Sequence, residues 1–356
     1  MSIQRSCSER MMLKNLLTDE QLVLLKSLID ESENIIITCH MNADGDAIGA
    51  SMGWAEYLKS VGKEPTIIVP DQYPDYLKWM PNTEKVMRYD KHKEKADLLF
   101  GVADLVFCLD YNVTSRVNDM EGALCATKGK RVLIDHHLGP EVDTVLTISH
   151  PEMSSTSEIV FRLVWQLGAF ESLTKHFAAP IYCGMMTDTG AFTFNSKSPD
   201  IFFIISQLLT KGIDKDKIYR NVYNNYSTWA IRMRGYMMCQ KLNVFEDVHA
   251  SYFSISRKEM KEFHFMKGDA EGLVNEPLRI KGMRLSISLR EDDRKDNLVW
   301  VSLRSVDSFP CNKMAEQFFN GGGHLNASGG KLYCSLPEAE QIVRQAILHF
   351  EDMLKC

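Results

Sequence analysis

The chain has 356 residues, more than one hydrophobic core usually serves, so two domains are expected. Hydrophobic residues at 45% and charged residues at 25% exclude a disordered chain, and a formal net charge of -6 excludes a protein that clamps long nucleic acid through a broad basic face. A small anion held in a local pocket remains compatible with that charge.

The N-terminal stretch MSIQRSCSERMMLK lacks an apolar signal core, and the longest apolar stretch, near Ile201 to Leu209, is too short to span a bilayer. Nine cysteines lie far apart, odd in number and without a CxxC pair, which indicates neither a disulfide framework nor a thiolate zinc site. The expectation is a cytoplasmic protein with reduced, mostly buried thiols and no membrane association.

Through the first half, short apolar runs alternate with helical patterns: NIIIT (34–38), TIIV (66–69), DLVFCLD (104–110) and RVLID (131–135). Continuous apolar runs, as opposed to period-2 alternation, predict a parallel sheet covered on both faces and hence a doubly wound α/β domain. Between the strands, DAIGASMGWAEYLKSVG (46–62) has helical spacing with Gly62 as its stop, and SSTSEIVFRLVWQLG (154–168) opens with the capping-box pattern Ser155 to Glu158. From about Ile201 to Leu242 the sequence reads helical and predicts a bridge to a second unit.

After it the period changes. MRLSISLR (283–290) places Leu285, Ile287 and Leu289 on one face and Arg284, Ser286, Ser288 and Arg290 on the other. VWVSLRS (299–305) repeats the design with Val299, Val301 and Leu303 inward and Trp300, Ser302 and Arg304 outward, and EDDRKDN between them reads as a charged hairpin-like turn. The second domain is expected to be a smaller α+β unit whose half-exposed antiparallel sheet presents arginines. The boundaries read as 1–205, a helical linker over 206–242, and 243–356, with the active site in the cleft between the domains.

In an open parallel sheet, ligands bind outside the carboxyl ends of the strands. Three such ends carry metal-binding or charged residues: His40, Asp44 and Asp46 in CHMNADGD, Asp110, and Asp135-His136-His137; Asp188 in MMTDTGAF sits at a helix end on the same rim. Four carboxylates in one cleft would repel one another and be driven to protonate, and two shared divalent ions would balance them. Oxygen and imidazole ligands suit manganese or magnesium, with cobalt or zinc also compatible, and paired ions of this kind hydrolyse phosphate esters through an activated water. Taken singly, an Asp-Gly-Asp is as well read as a turn or helix cap and a His-His pair as surface; unrelated turns have no reason to gather at the ends of one sheet. His92, His150, His176, His249, His264 and His349 have nothing tying them to the cluster.

The glycine-rich NGGGHLNASGG (320–330) is the second signal: successive glycines let backbone N–H groups approach an anion, and His324 and Asn326 add side-chain donors. With the arginines before it, which pair with phosphate in bidentate fashion, it predicts a nucleotide-phosphate clamp on the second domain. A flexible loop is the structural alternative.

These residues resemble the DHH phosphoesterase family, in the oligoribonuclease and 3'-phosphoadenosine 5'-phosphate phosphatase branch that carries a DHH-associated C-terminal domain with a Gly-Gly-Gly-His loop. The pattern H-x-x-x-D-x-D (His40, Asp44, Asp46), the strand-end Asp110, the DHH triplet, the Asp188 segment and the GGGH loop occur in the family's order over nearly the whole chain. The resemblance implies that His40, Asp44 and Asp110 hold one metal ion and Asp46, Asp110, His136 and Asp188 the other, with Asp110 bridging. It implies that His137 lies beside the scissile phosphate, with Asp135 orienting the histidines. It implies that Arg284, Arg304, Gly321, Gly322, Gly323, His324, Asn326, Ala327 and Ser328 grip the rest of the substrate. Ala43 stands where many relatives have Pro, Asn320 replaces a first glycine of a longer run and Ser328 replaces an alanine; none of these removes a metal ligand.

The expected protein is a hydrolase with two divalent ions, Mn2+ with Mg2+ or Co2+ as alternatives, acting on short single-stranded RNA or DNA oligonucleotides, on 3'-phosphoadenosine 5'-phosphate or on linear dinucleotides. The extra domains of long single-strand exonucleases are missing from the pattern, which favours a short substrate, and a homodimer is compatible with it. The rivals are an inorganic pyrophosphatase or exopolyphosphatase, which the metal half permits, and a non-catalytic nucleotide sensor, which a missing ligand would have favoured.

Overall fold

The computed structural model describes residues 13–266 and 268–355, so residues 1–12 of the stretch read for a signal core lie outside it. Among the described residues no helix is long and apolar enough to cross a membrane. The chain divides into two compact units, one ending at Asn224 and the other starting at Asn225.

The first unit is built on six strands, β1 (Ile35–Thr38), β2 (Thr66–Val69), β3 (Met87–Arg88), β4 (Leu105–Leu109), β5 (Lys130–Asp135) and β6 (Leu146–Ser149). They form one sheet in the order β3-β2-β1-β4-β5-β6, every neighbouring pair parallel. Four strands coincide with the apolar runs. The two edge strands escaped the sequence reading because β3 is two residues long and β6, LTIS, is apolar at only two positions.

Alternate strand residues enter two cores, which is why the runs are continuous. Ile35, Ile37, Phe107, Val132 and Ile134 pack beneath α1 (Asp19–Asp30), α2 (Gly45–Ser60), α5 (Thr156–Gln166), α6 (Lys175–Asp188), α7 (Pro199–Thr210) and α8 (Lys215–Tyr223). Ile36, Ile68, Val106, Cys108 and Leu133 pack beneath α3 (Tyr89–Val102) and α4 (Glu121–Ala126). The strand order reverses between β1 and β4, and that switch point opens a crevice at the carboxyl ends where His40 and Asp110 stand.

Helices α2 and α6 meet along a seam that the sequence reading passed over. Gly45, Gly49 and Gly53 recur every fourth residue and so share one face of α2. A Cβ on Gly49 would come 2.5 Å from the Pro180 carbonyl oxygen, and one on Gly45 would come 2.3 Å from Thr187 Oγ1. The seam brings the first turn of α2, with Asp44 and Asp46, to the last turn of α6, with Asp188.

The second unit carries a sheet in the order β11-β12-β10-β9-β8-β7, from β7 (Asn243–Phe245), β8 (Ala250–Ile255), β9 (Leu285–Glu291), β10 (Val299–Ser305), β11 (Gly322–His324) and β12 (Ala327–Leu332). β9 and β10 pair antiparallel, and Leu285, Ile287, Leu289, Val299, Val301 and Leu303 are all buried as the alternation requires. They pack on α11 (Cys311–Phe318), α12 (Leu336–His349) and α13 (Glu351–Lys355).

Three expectations change here. β8 runs parallel to β9, so the sheet is mixed. Its other face is not uniformly exposed: Met233 of α9 (Thr228–Tyr236), Met260 of α10 (Arg257–Glu262), Phe253, Ile255 and Leu273 build a further core there, Ser286 is fully buried, and Arg290 lies over the Phe265 ring at 5.6 Å. The helical stretch expected as a bridge is divided between the units, Leu208, Ile218 and Val222 joining the first core and Met233 and Met237 the second.

Because the Pro180 carbonyl is backbone and cannot swing aside, Gly49→Ala is expected to destabilise the protein by about 1–3 kcal/mol, the overpacking penalty, although alanine gains up to about 1 kcal/mol of helix propensity. Urea unfolding decides the sign; a more stable variant would mean that the seam yields.

Candidate metal centre

Each candidate side chain stands at the end of a regular element. His40 lies two residues beyond β1. Asp44 caps α2, its Oδ1 accepting from the amides of Asp46 and Ala47 at 3.0 Å each. Asp110 follows β4 in the left-handed region (φ +64°), which Asp tolerates better than most residues, and its amide continues the ladder to the Ile134 carbonyl (3.1 Å). Asp135 ends β5, His136 and His137 follow, and Asp188 is the last residue of α6.

Among the described residues of the first unit three groups result, in each of which the side-chain ligand atoms lie within 4.8 Å of one another: His40, Asp44 and Asp110; Asp46, His136 and Asp188; and Asp110, Asp135 and His137. Asp110 joins them. Its Oδ2 is 3.4 Å from His40 Nε2, while its Oδ1 is 3.5 Å from His136 Nε2 and 3.7 Å from His137 Nδ1. His136 Nε2 is also 3.4 Å from Asp188 Oδ2 and 3.9 Å from Asp46 Oδ2. Asp135 Oδ1 is 2.7 Å from His137 Nδ1, and a carboxylate there fixes the tautomer with the proton on Nδ1. Asp46, Asp110, Asp135 and His136 are at most 2% exposed, whereas the side chains of Asp44 and Asp188 keep 45% and 27% and form the open rim.

The charges are in conflict without a cation. Burial drives the Asp46 carboxyl well above the ordinary carboxylate range, and Asp110 and Asp188 add to the rise. Burial works in the same direction on Asp110, but the hydrogen bond with His40 and the charges of His137, His40 and His136 hold it below its usual value. His136 is pushed up to about 9 because Asp188, Asp110 and Asp46 outweigh its burial. His137 is lowered by burial, helped by the Arg116 charge. A set of carboxylate oxygens and imidazole nitrogens packed this closely, one carboxyl forced toward protonation, fits hard or borderline divalent cations. Thiolate takes no part, since burial and the surrounding carboxylates raise the Cys39 and Cys183 thiols.

The sequence reading missed what holds the carboxylates. At the start of α5 the amides of Thr156 and Ser157 donate to the two oxygens of Asp46 at 2.7 and 2.9 Å, and Thr156 Oγ1 donates to Asp110 Oδ1 at 2.9 Å. Amides at a helix N-terminus favour an anion. The capping pattern marked this turn, but only half of it forms as expected. Ser155 Oγ accepts from the Glu158 amide (3.0 Å), while Glu158 Oε2 accepts from the amide and hydroxyl of Ser154 (2.9 and 2.6 Å). Glu158 then pairs with the buried Arg162 (2.8 Å), which reaches Asp200 (2.9 Å) at the start of α7.

In the second unit the glycine-rich stretch is a β-hairpin, β11 and β12, and not a loop. Its glycines are needed for close backbone approach: a Cβ on Gly321 would come 1.9 Å from the Gly329 carbonyl oxygen. The register sets Arg304 opposite Ala327, so that arginine and the hairpin adjoin. Gly322, Gly323 and His324 lie on the edge strand. Ser328 is buried and donates to the His324 carbonyl (2.9 Å), and the Asn326 amide nitrogen donates to Ser305 Oγ (2.9 Å) and to the Asp307 and Phe309 carbonyls. Arg284 donates to the carbonyls of Met353 (3.2 Å) and Leu354 (3.0 Å) at the end of α13. Asn326 and Arg284 thus serve the unit's own backbone.

A two-unit α/β protein with a histidine–aspartate cluster at the switch point of its parallel sheet is the class that the fold and site define. Residues 34–185 match the DHH family, N-terminal domain. The Thermus thermophilus bifunctional oligoribonuclease and PAP phosphatase NrnA is 27% identical over 325 residues, 88% of this chain and 89% of that protein. The crystal structure of an exopolyphosphatase-related protein from Bacteroides fragilis is 45% identical, with a TM-score of 0.91, over 97% of this chain and all of that one. Thermus thermophilus RecJ in complex with Mn2+, 13% identical, shares the fold at a TM-score of 0.55 over 93% of this chain and 54% of its own. The chain belongs to the DHH family.

Thr156→Val keeps the shape of the side chain and removes the donor to Asp110. Titration calorimetry should show Mn2+ affinity falling roughly 10- to 100-fold, the usual effect of losing an outer-shell partner; unchanged affinity would remove Thr156 from the centre.

Proposed function

We propose that this protein is a metal-dependent phosphoesterase that hydrolyses short oligonucleotides and small nucleotides, such as 3'-phosphoadenosine 5'-phosphate or linear dinucleotides, in the cytoplasm. The observation that carries the reading is the meeting, at the single carboxylate of Asp110, of two compact histidine–aspartate groups. His40, Asp44 and Asp110 would hold one divalent ion, for which we propose Mn2+, and Asp46, Asp110, His136 and Asp188 would hold a second, so that Asp110 would serve both. The names of the NrnA and RecJ relatives support this reading.

Divalent ions, when bound, supply the charge that brings water into the nucleophilic range near neutral pH and offsets that of the phosphoryl oxygens. The chain's own residues do the rest. The α5 amides orient Asp46, and the first amides of α2 orient Asp44. Asp135 holds His137 through Nδ1, and His137 handles the proton traffic at the scissile phosphate. Arg304 and the Gly321–Gly323 backbone, with His324, Ala327 and Ser328 beside them, grip the remainder of the substrate. The exopolyphosphatase-related name of the Bacteroides relative favours inorganic polyphosphate as the second reading.

Asp110→Ala should reduce turnover to background on RNA dinucleotides to pentanucleotides, 3'-phosphoadenosine 5'-phosphate and linear di-adenylate, and chelation should do the same to the unmodified protein, reversibly with Mn2+. Product analysis checks both, and retained turnover in the variant would reject the bridge. Cleavage of pyrophosphate or polyphosphate alone would move the function to the second reading. For Arg304→Ala, KM for dinucleotides should rise about tenfold or more, as expected for a lost hydrogen bond to a charged group worth about 1.5–3 kcal/mol; an equal rise for pyrophosphate would show that the arginine does not read the nucleotide.

A further inference from the structure

The chain leaves Asp188 through Thr189-Gly190-Ala191-Phe192-Thr193-Phe194-Asn195 and runs against ordinary backbone preference there. Gly190, Ala191 and Phe192 follow one another in the left-handed region at φ +52°, +57° and +64°, and Asn195 joins them at +47°. L-residues visit that region singly, and a bulky aromatic in it is an outlier. Such strain persists only where the surroundings over-determine it, and it clusters where ligands are handled.

The surroundings here do so. Thr189 is fully buried, and its Oγ1 donates to the Met185 carbonyl (2.6 Å) and accepts from the Phe192 amide (3.1 Å). The amides of Thr193 and Phe194 donate to the Thr189 carbonyl (2.9 and 3.2 Å), and that of Ala191 to the Met186 carbonyl (2.8 Å). The stretch is thereby folded back onto the end of the helix that carries Asp188.

The result separates two aromatic rings. Phe192 packs on Tyr182 with centroids 5.7 Å apart and joins the core. Phe194 stays 43% exposed and belongs to none of the apolar clusters of the first unit. Its ring rests on Gly190, where a Cβ would come 2.2 Å from Phe194 Cε1. An apolar ring is thus propped against the backbone two residues from a candidate metal ligand.

We propose that Phe194 is the stacking platform for a nucleobase of the substrate, held in the first turn beyond Asp188 so that a nucleotide with its phosphoryl group at the histidine–aspartate cluster lays its base on the ring. The inference rests on the phosphoesterase reading and deepens it. The ligand class is a nucleoside phosphate or short oligonucleotide, since inorganic polyphosphate has no π-face to offer. Stacking tolerates every base, so the site selects for the presence of a base and not for its identity.

The test compares wild type, Phe194→Ala and Phe194→Tyr with Mn2+ on an RNA dinucleotide and on its analogue in which abasic sugars replace both nucleosides. Phe194→Ala should lower the ratio of kcat/KM for the dinucleotide over the abasic analogue by about 5- to 150-fold, the range for one base–aromatic stack, chiefly through KM, and Phe194→Tyr should restore it. An unchanged ratio, whether both substrates lose equally or neither does, overturns the platform and leaves the phosphoesterase reading intact. Failure of Phe194→Tyr to restore the ratio also overturns it, because the phenol keeps the π-face. A wild-type protein that cleaves pyrophosphate but neither diester overturns the nucleotide reading and the platform with it.

Discussion

Asp46 is the constraint around which the first unit is arranged. A carboxylate 1% exposed, with Asp110 and Asp188 beside it, carries a desolvation cost that would neutralise it unless hydrogen bonds and cations offset the loss of water. The first turn of α5 supplies two amides, one to each oxygen, and the same turn supplies a hydroxyl to Asp110. That turn is fixed by the buried Glu158–Arg162 pair, which reaches the partly exposed Asp200; the pair is costly to break because losing either member would leave the other's charge buried without its counter-charge.

Delivering Asp46 to that turn requires backbones to approach closely. Gly45, Gly49 and Gly53 on α2 admit α6, and Gly184 on α6 admits the start of α5: a Cβ there would come 2.0 Å from Ser157 Oγ and 2.9 Å from Asp46 Oδ1. Three helices therefore converge where β1, β4 and β5 end, and side chains separated by up to 148 positions in the chain, His40 to Asp188, come into one cluster. The small residues act through position, by letting these backbones approach.

The second unit handles its polar groups differently. Its hairpin is glycine-rich because β11, β12 and the end of α11 crowd together, and that crowding leaves little side-chain cover over the backbone of Gly321 to Gly323. Asn326 and Arg284, which carry the right chemistry for phosphate, are engaged by carbonyls of their own unit; Arg304 also donates to the Leu303 carbonyl (2.9 Å), but strand register sets it beside the hairpin. Residue type alone does not separate these cases.

By itself the sequence determined the strands with continuous apolar runs, the doubly wound class, the alternation of β9 and β10, and the residues that would meet at the sheet's carboxyl ends. Those are local or period-based properties, legible because a buried parallel strand and a strand-end carboxylate leave marks within a few residues. Only the tertiary structure decided that Asp110 faces two groups with its two oxygens, that Thr156 and Ser157 hold Asp46, that β8 runs parallel to β9, that the glycine-rich stretch is a hairpin, and that Arg284 is engaged elsewhere. Each of these depends on which distant backbone comes within hydrogen-bonding or van der Waals distance. That is settled by the packing of whole helices and by strand register, quantities that no short window of sequence contains.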